Sequence, residues 1–270
     1  MSCITPEISV VLTVYNGELH VQEAIKSIQQ QTFDDWELVV IDDGSTDETL
    51  ATVRAIEDDR IRVYTQENKG RGYALNRGLG LARGRYVAII DDDDIAAPQR
   101  LERTVNFLEV NPDVDLVAAG YERRYEYDGT IETDTVYPPE THDALVDELP
   151  FRNPFAHSLV TYRRTAAGEL GGYRDIHSCI DYDLWVRMAV AGYRFGVIDE
   201  TLGTIRKHEN RSFNFDWADH LRYLRRAYSV RATAARFLNV PYYYRAAPVI
   251  MVLWGLVPVV LKPLFRRVVR

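Results

Sequence analysis

The chain has little with which to build a disulfide scaffold, a membrane-spanning helix or a glycine-cradled nucleotide site. Cys3 and Cys179 are its only cysteines, too few for a disulfide framework. The N-terminus also lacks the basic-then-apolar pattern of a secretory signal, and together these features predict a catalytic part in a reducing cytoplasm. Ala246 to Leu261 is sixteen residues without a charge, but a spanning helix needs ~20, and Pro248, Gly255 and Pro258 interrupt the run. The first strand-like segment ends in Thr13-Val14-Tyr15-Asn16-Gly17 where a dinucleotide fingerprint would need Gly-x-Gly-x-x-Gly. Gly78-Leu79-Gly80-Leu81-Ala82-Arg83-Gly84 has the wrong spacing and follows helical sequence, which argues against NAD chemistry. No Gly-x-x-x-x-Gly-Lys-Ser/Thr loop occurs, which excludes a P-loop NTPase. Lysine is scarce, four of the 32 basic residues, a bias without bearing on mechanism. The chain contains neither an internal repeat nor a low-complexity linker.

What remains is a chain of 270 residues with 46% hydrophobic composition, enough for one large α/β domain with a full core and an appendage. Ile8 to Val14 is nearly continuous and β-branched, then come turn residues, then Val21, Ala24, Ile25 and Ile28 at helical spacing. The unit recurs: Trp36 to Ile41 ends in Asp42-Asp43-Gly44-Ser45, and a helix is predicted from about Thr46 to Glu57 with Ser45 or Thr46 as its cap. After a short strand at Ile61 to Tyr64, a helix through Ala74, Leu75 and Leu79 leads to the strand Tyr86 to Ile90. Alternation at this spacing specifies a mostly parallel sheet, wound right-handedly. Further on, Val114 to Ala119 and Ser158 to Tyr162 read as strands, Tyr121 to Val136 as a hairpin around Asp128-Gly129, Asp181 to Ala191 as a helix, and Arg194 to Ile198 as a strand.

The strand at Tyr86 to Ile90 ends in Asp91-Asp92-Asp93-Asp94. Four crowded carboxylates repel unless something positive is nearby, and Asp91 and Asp93 can aim oxygens at one point, where a hard divalent cation completes its shell with water and phosphate. The plainer alternative is a solvated loop capping the helix that begins near Pro98. Position favours the site: in a doubly wound sheet ligands lie beyond the carboxyl ends of the strands, and Tyr15-Asn16, Asp42-Asp43 and the acidic run all fall there.

These residues carry a resemblance. Ser9-Val10-Val11-Leu12-Thr13-Val14-Tyr15-Asn16, Gln31-Thr32-Phe33, Trp36-Glu37-Leu38, Asp42-Asp43-Gly44-Ser45-Thr46-Asp47, Asn68 with Gly70, Asn76 with Gly78, and Asp91 to Asp94 resemble, in order, the family 2 glycosyltransferases. The match runs from residue 6 to about residue 105 and more weakly to about 212. It implies the GT-A fold, an α/β fold with a mostly parallel, Rossmann-like central sheet and helices on both faces. It also implies a nucleotide-diphosphate-sugar donor and a divalent cation, Mn²⁺ or Mg²⁺. On this resemblance Thr13, Val14, Tyr15 and Gly70 belong to the nucleoside pocket, and Asp43 binds the base or ribose. Asp91 and Asp93 match the D-x-D pair, with Asp93 the direct metal ligand and Asp91 supporting it or the ribose. Asp92 falls in the nucleotide-binding stretch, where it and Asp94 tune the loop. His208, in Arg206-Lys207-His208, is a candidate third ligand, softer than Mg²⁺ favours but acceptable to Mn²⁺.

An inverting mechanism needs a base for the acceptor hydroxyl. The resemblance points to Asp181 in Cys179-Ile180-Asp181-Tyr182-Asp183-Leu184-Trp185, with Asp183 as the alternative and with helix capping as the structural reading. The family pattern has Glu where Ile180 stands. Asn153-Pro154-Phe155-Ala156-His157-Ser158 and Gly171-Gly172-Tyr173 resemble segments around the donor sugar, and His157 reads as structural.

The net charge of −8 conceals a division: residues 219 to 270 hold ten Lys or Arg against one acid, a balance of +9 that leaves −17 for residues 1 to 218. Residues 1–218 are therefore read as the GT-A domain, with a nucleotide-binding half, 1–110, and an acceptor-side half, 111–218; residues 219–270 are a helical, partly hydrophobic tail. Leu221, Leu224 and Tyr228 at helical spacing among arginines, followed by the uncharged stretch, suit an interfacial segment on an anionic inner leaflet. Burial against the body or in a homodimer interface is the alternative. A nucleic-acid partner fits poorly, because the arginines border an apolar block and not a groove of stacking aromatics.

The expected activity is inverting, metal-dependent transfer of a sugar from a nucleotide-diphosphate donor, taken as uridine-based. The expected acceptor is membrane-presented, a lipid-linked glycan or polyprenyl phosphate. Two rivals stand beside it: a protein of the same fold that binds the sugar nucleotide without turnover, suggested by Ile180, and a nucleotidyltransferase, which the absence of a Gly-rich N-terminal loop disfavours.

Overall fold

The computed structural model describes residues 5–127, 130–176, 178–208, 217–238 and 240–256. β1 (Ile8–Val14) lies between β2 (Trp36–Asp42) and β4 (Tyr86–Asp91), parallel to both, and β3 (Ile61–Thr65) extends the quartet beyond β2. Val10, Leu12 and Val14 of β1 enter one apolar cluster, and Val11 enters the other. Alternation in a strand covered on both faces is why its sequence reads as a continuous apolar run. On one face pack α1 (Val21–Gln29) and α4 (Arg100–Val110) through Ala24, Ile25, Ile28, Leu101, Val105 and Leu108. The other face is covered by α3 (Arg71–Leu81), α5 (His142–Glu148), α6 (Arg164–Glu169) and α7 (Ile180–Val190) through Leu75, Leu145, Ala166, Leu184 and Trp185.

Beyond β4 the sheet continues with β8 (Thr161–Arg163), β6 (Leu116–Tyr127), β9 (Phe195–His208) and the short β5 (Ile95–Ala96), in the order β3-β2-β1-β4-β8-β6-β9-β5, with β7 (Thr130–Val136) hairpinned on β6. β8 is antiparallel to β4 and β6, while β9 returns parallel to β6. The fold class therefore agrees with expectation, and one sheet crosses the boundary read between residues 110 and 111.

Three local expectations change. The strand read at Val114 to Ala119 and the first arm of the hairpin are one strand, β6, and the strand read at Arg194 to Ile198 runs on to His208. Each is longer because it pairs with the other along nearly its whole length. Neither Ser45 nor Thr46 caps α2 (Thr49–Arg54), which begins later than expected. Both are taken by Asn16, whose backbone N–H donates to Ser45 Oγ (3.0 Å) and whose side-chain oxygen accepts from the Thr46 N–H (2.8 Å). Finally, the segment read as a strand at Ser158 to Tyr162 opens with a 3-10 turn, His157–Leu159, before β8.

After β9 come α8 (Trp217–Phe237), which packs on α7, a 3-10 turn and α9 (Ala247–Leu256). Among the described residues no helix is long and apolar enough to cross a membrane.

Candidate active site

Strand register assembles the crevice. β1 and β2 put Val14 beside Asp42, and β1 and β4 put Thr13 beside Asp91, so the ends of three strands meet at one place. A cavity of about 240 Å³ opens there, lined by Thr13, Val14, Tyr15, Asp43, Arg71, Ala74, Asp91 and Asp92. It brings together Thr13, Val14, Tyr15, Asp43, Asp91 and Asp92 from the sequence reading. Tyr15 stands half exposed at its mouth.

Asp43 is buried and held. One carboxylate oxygen accepts from Gln66 Nε2 (2.7 Å) and the Lys69 N–H (3.0 Å), the other from the Gly70 N–H (2.8 Å). Gly70, at φ +90°, is the residue before α3, so Asp43 fixes the start of that helix while facing the cavity. A carboxylate has about four lone-pair sites, which leaves it able to accept from a ligand as well. Gly70 thus shapes the cavity by holding its wall in place, and no Cβ clash would arise there.

Arg71, the first residue of α3, was not among the sequence-derived candidates. It forms an ion pair with Asp91, and its Nη2 lies 2.8 Å from His157 Nδ1. His157 Nε2 is 3.1 Å from the Tyr173 hydroxyl, and Tyr173 is 3.2 Å from the Tyr162 hydroxyl. Burial disfavours the charge on Asp91, but Arg71 and His157 outweigh it and hold the carboxyl well below the usual range. The same Arg71 feels the charge of Asp181, so the start of α7 lies within electrostatic reach of the acidic strand end. A cation two residues past a lysine and next to a glycine, in a turn that begins a helix beside a strand end, was the available sequence signal.

The acidic run divides. Asp91 and Asp92 line the cavity, whereas Asp93 and Asp94 are 2% and 4% exposed. The loop is tied down by the Asp91 N–H donating to Ser158 Oγ (3.0 Å) and by Asp94 accepting from the Arg206 N–H (3.1 Å). Burial first, then the charges of Asp91 and Asp93, push the Asp94 carboxyl well above its usual range. None of the four caps α4, whose preceding residue is Gln99, so the helix-capping alternative fails. Among the described residues no group of three or more His, Cys, Asp or Glu is arranged to hold a metal ion. Crowded oxygen donors nevertheless suit a hard cation that takes few protein ligands. His208 closes β9 opposite Glu126; its side chain lies outside the described residues. Its neighbour Arg206 is 5% exposed and pairs with Glu23 (2.5 Å) and His20 Nδ1 (3.0 Å).

Asp181 is the second residue of α7, after a Cys179 in the left-handed conformation (φ 59°). It is therefore inside the first turn and not the cap. Its Oδ2 accepts from Asn153 Nδ2 at 2.7 Å. Asp183, the alternative base, is engaged elsewhere, by Arg187 (2.7 Å) and Arg174 (3.2 Å). Ile180 is 7% exposed, within the apolar cluster of Trp185 and Tyr173.

Comparison with known proteins now decides the family: the profile of glycosyl transferase family 2 matches residues 9–171. The chain belongs to that family. This glycosyltransferase is 30% identical over 203 residues to the amylovoran biosynthesis glycosyltransferase AmsE of Erwinia amylovora, covering 73% of this chain and 75% of that protein. It is 27% identical over 246 residues to the O-antigen biosynthesis glycosyltransferase WbnJ of Escherichia coli, covering 88% and 94%. Among solved structures it resembles S. aureus TarS 1-349 in complex with UDP-GlcNAc (TM-score 0.70, 18% identity, 98% of this chain and 76% of that one). It also resembles the mannosyltransferase PcManGT of Pyrobaculum calidifontis in complex with GDP-Man and Mn²⁺ (TM-score 0.66, 21% identity, 94% and 73%). At these identities the two structures establish the shared GT-A fold.

Proposed function

We propose that this glycosyltransferase moves a sugar, with inversion, from a uridine diphosphate donor to a membrane-presented acceptor, a lipid-linked glycan or polyprenyl phosphate, in the synthesis of a cell-surface polysaccharide. The observation that carries the reading is a cavity at three strand ends, lined by Thr13, Tyr15, Asp43, Asp91 and Asp92, in which Arg71 pairs with Asp91 and lies within electrostatic reach of Asp181. The relatives that act in O-antigen and amylovoran synthesis support the pathway class, and the UDP-GlcNAc complex of a structural neighbour supports the donor class.

In this reading Thr13, Val14 and Tyr15 flank the nucleoside, and Asp43 accepts from base or ribose. Arg71 supplies positive charge where the diphosphate lies. Asp91 and Asp93 would hold Mn²⁺ or Mg²⁺, with Asp92 at the nucleotide and His208 as a further ligand. Such an ion, when bound, stabilises charge on the departing nucleoside diphosphate. Asp181 takes the proton from the acceptor hydroxyl as its oxygen attacks the anomeric carbon from the face opposite the phosphate. Asn153 holds one of its carboxylate oxygens. The protein works peripherally on the inner face of the membrane.

Nucleotide-sugars screened with and without Mn²⁺ test this. Asp181→Asn is expected to abolish transfer while donor binding persists, and Asp93→Ala to abolish the metal response. Full transfer by Asp181→Asn would sink the base assignment. The rival reading, a fold that binds donor without turnover, draws on Ile180, which brings an apolar side chain to a position where the family carries a carboxylate. Binding of donor with no transfer across a broad acceptor panel would favour it.

A further inference from the structure

Among the described residues, the last two helices present an exposed face. On α8 Leu224, Ala227, Val230, Ala234 and Ala235 are buried. At the three- and four-residue offsets that define the opposite face stand Arg222, Arg225, Arg226 and Arg236, all exposed. Leu221 and Tyr228 flank these arginines on one edge and Phe237 on the other, exposed by 51%, 43% and 58%. No acid occurs from His220 to Leu261. α9 adds Val249, Ile250 and Leu253, exposed by 50%, 53% and 60%. Between the two helices runs a groove of about 470 Å³, lined by Tyr228, Ala232, Ala235, Arg236, Phe237, Arg245 and Pro248.

An arginine-rich helix that is merely solvated would not sit beside three large exposed aliphatic side chains on its neighbour. A nucleic-acid surface would surround its cations with polar groups and stacking rings, whereas here the exposed Val249, Ile250 and Leu253 add aliphatic area that neither base nor phosphate would meet. Arginines beside exposed aliphatics, with an apolar-walled groove holding two guanidinium groups, match an interface with phosphate at one depth and hydrocarbon just below it. We infer that the α8–α9 face docks on an anionic phospholipid leaflet, with Val249, Ile250 and Leu253 in the acyl boundary and Arg236 and Arg245 bracketing a lipid phosphate.

Charge also sets the orientation. Residues 1–218 carry −17 against +9 for the remainder, so an anionic surface repels the body and admits only this end. That end adjoins the catalytic crevice: α8 packs on α7, and its buried Arg231 acts electrostatically on Cys179 and Tyr182, the two residues that bracket Ile180-Asp181. Docking there brings the Asp181 side of the crevice toward the leaflet. This face would serve the membrane-presented acceptor of the proposed function, and docking rests on that reading only for its purpose.

The test is co-sedimentation of the full chain with vesicles of phosphatidylcholine alone and of equimolar phosphatidylcholine and phosphatidylglycerol, with donor turnover followed in parallel. Binding to the mixed vesicles only, weakened by salt, is expected. Arg225→Gln, Arg226→Gln and Arg236→Gln together should weaken it about a hundredfold. Val249→Ser, Ile250→Ser and Leu253→Ser together should weaken it while leaving its salt dependence. Both variants should retain turnover with a soluble acceptor. Equal binding to both vesicle types, or unchanged binding by the arginine variant, overturns the inference. So does a stable dimer that the serine variant converts to a monomer with vesicle binding unaffected, since the face then joins two copies. Vesicle binding without turnover on any donor would leave docking intact and defeat the proposed transfer; turnover without binding would do the reverse.

Discussion

Asn153 offers a sharp test of how the proposed base, Asp181, is held. Its Nδ2 donates to Asp181 Oδ2 at 2.7 Å, and its Oδ1 accepts from the Phe155 N–H at 3.1 Å. The two contacts do different work: the second closes a local turn, and the first fixes a carboxylate. A hydrogen bond to a charged group contributes about 1.5 to 3 kcal/mol. If that energy is realised as correct orientation in the transition state, Asn153→Ala lowers kcat by roughly 10- to 150-fold. It also loses the turn contact, at about 1 kcal/mol of stability. Asn153→Asp separates the two effects, because it keeps an acceptor for Phe155 and replaces the donor by a second negative charge beside Asp181. The expected order of kcat is wild type, then Asn153→Ala, then Asn153→Asp; the expected order of stability puts Asn153→Asp nearer wild type. Steady-state kinetics with saturating acceptor and denaturant unfolding of each variant supply both orders. A kcat for Asn153→Asp within twofold of wild type would refute the role, and a change confined to the donor KM would move Asn153 to the donor site.

Glu37 is 2% exposed and accepts from Ser9 (2.7 Å), Arg62 (2.7 Å) and Arg83 (2.9 Å). Burial raises its pKa, but these bonds together more than offset that and leave it below the ordinary value of 4.5. A depressed carboxylate stabilises the fold above its unfolded pKa, and that contribution is lost as pH falls through the native one. Glu37→Gln should thus cost roughly 3 kcal/mol at neutral pH and flatten the acid limb of stability against pH; an unchanged limb would count against this network as its source. Gly78 packs so closely on β1 that a Cβ would lie 2.5 Å from Val11 Cγ1, and Gly78→Ala should destabilise by about 1 to 3 kcal/mol, read as a lowered denaturation midpoint. Chelation with EDTA should stop transfer and Mn²⁺ restore it, with Asp91→Asn impaired at every Mn²⁺ concentration; turnover indifferent to chelator would remove the ion from the proposal.

The parallel half of the fold was legible in the sequence because burial on both faces writes itself as uninterrupted β-branched runs, and because each run stops at polar residues where the sheet meets the crevice. The acceptor-side strands were harder to delimit. β6 and β9 owe their length to each other, through pairings such as Leu116 with Phe195 and Arg124 with Arg206, and a partner so distant in the chain leaves no local periodicity to read. The cap on α2 failed for a related reason: Ser45 and Thr46 have the right chemistry, but Asn16, across the crevice, competes for it. In the acidic run, composition gave the charge without saying which carboxylates face the cavity, since four identical residues in a turn differ only in backbone direction.

The motif around α3 makes sense as one mechanical part once its contacts are placed in chain order. The N–H of Gly70 holds Asp43 at the end of β2, and Arg71 holds Asp91 at the end of β4. Further along the helix Asn76 donates to the Tyr173 carbonyl (2.6 Å) and accepts from the Tyr173 N–H (2.7 Å). Gly78 lets the helix lie directly on Val11. Tyr173, so fixed, meets His157, which returns to Arg71. The loop of contacts closes on itself, with α3 as the strut between the ends of β2 and β4 and the segment leading to Asp181. Gly172 is drawn into the same constraint: it adopts φ +68°, and a Cβ there would lie 2.3 Å from the Asn76 side-chain oxygen. The Gly70, Arg71, Asn76 and Gly78 spacing therefore encodes the distance across the crevice more than any single contact with a ligand, because shifting α3 by one residue would break the Asp43, Asp91 and Tyr173 attachments together.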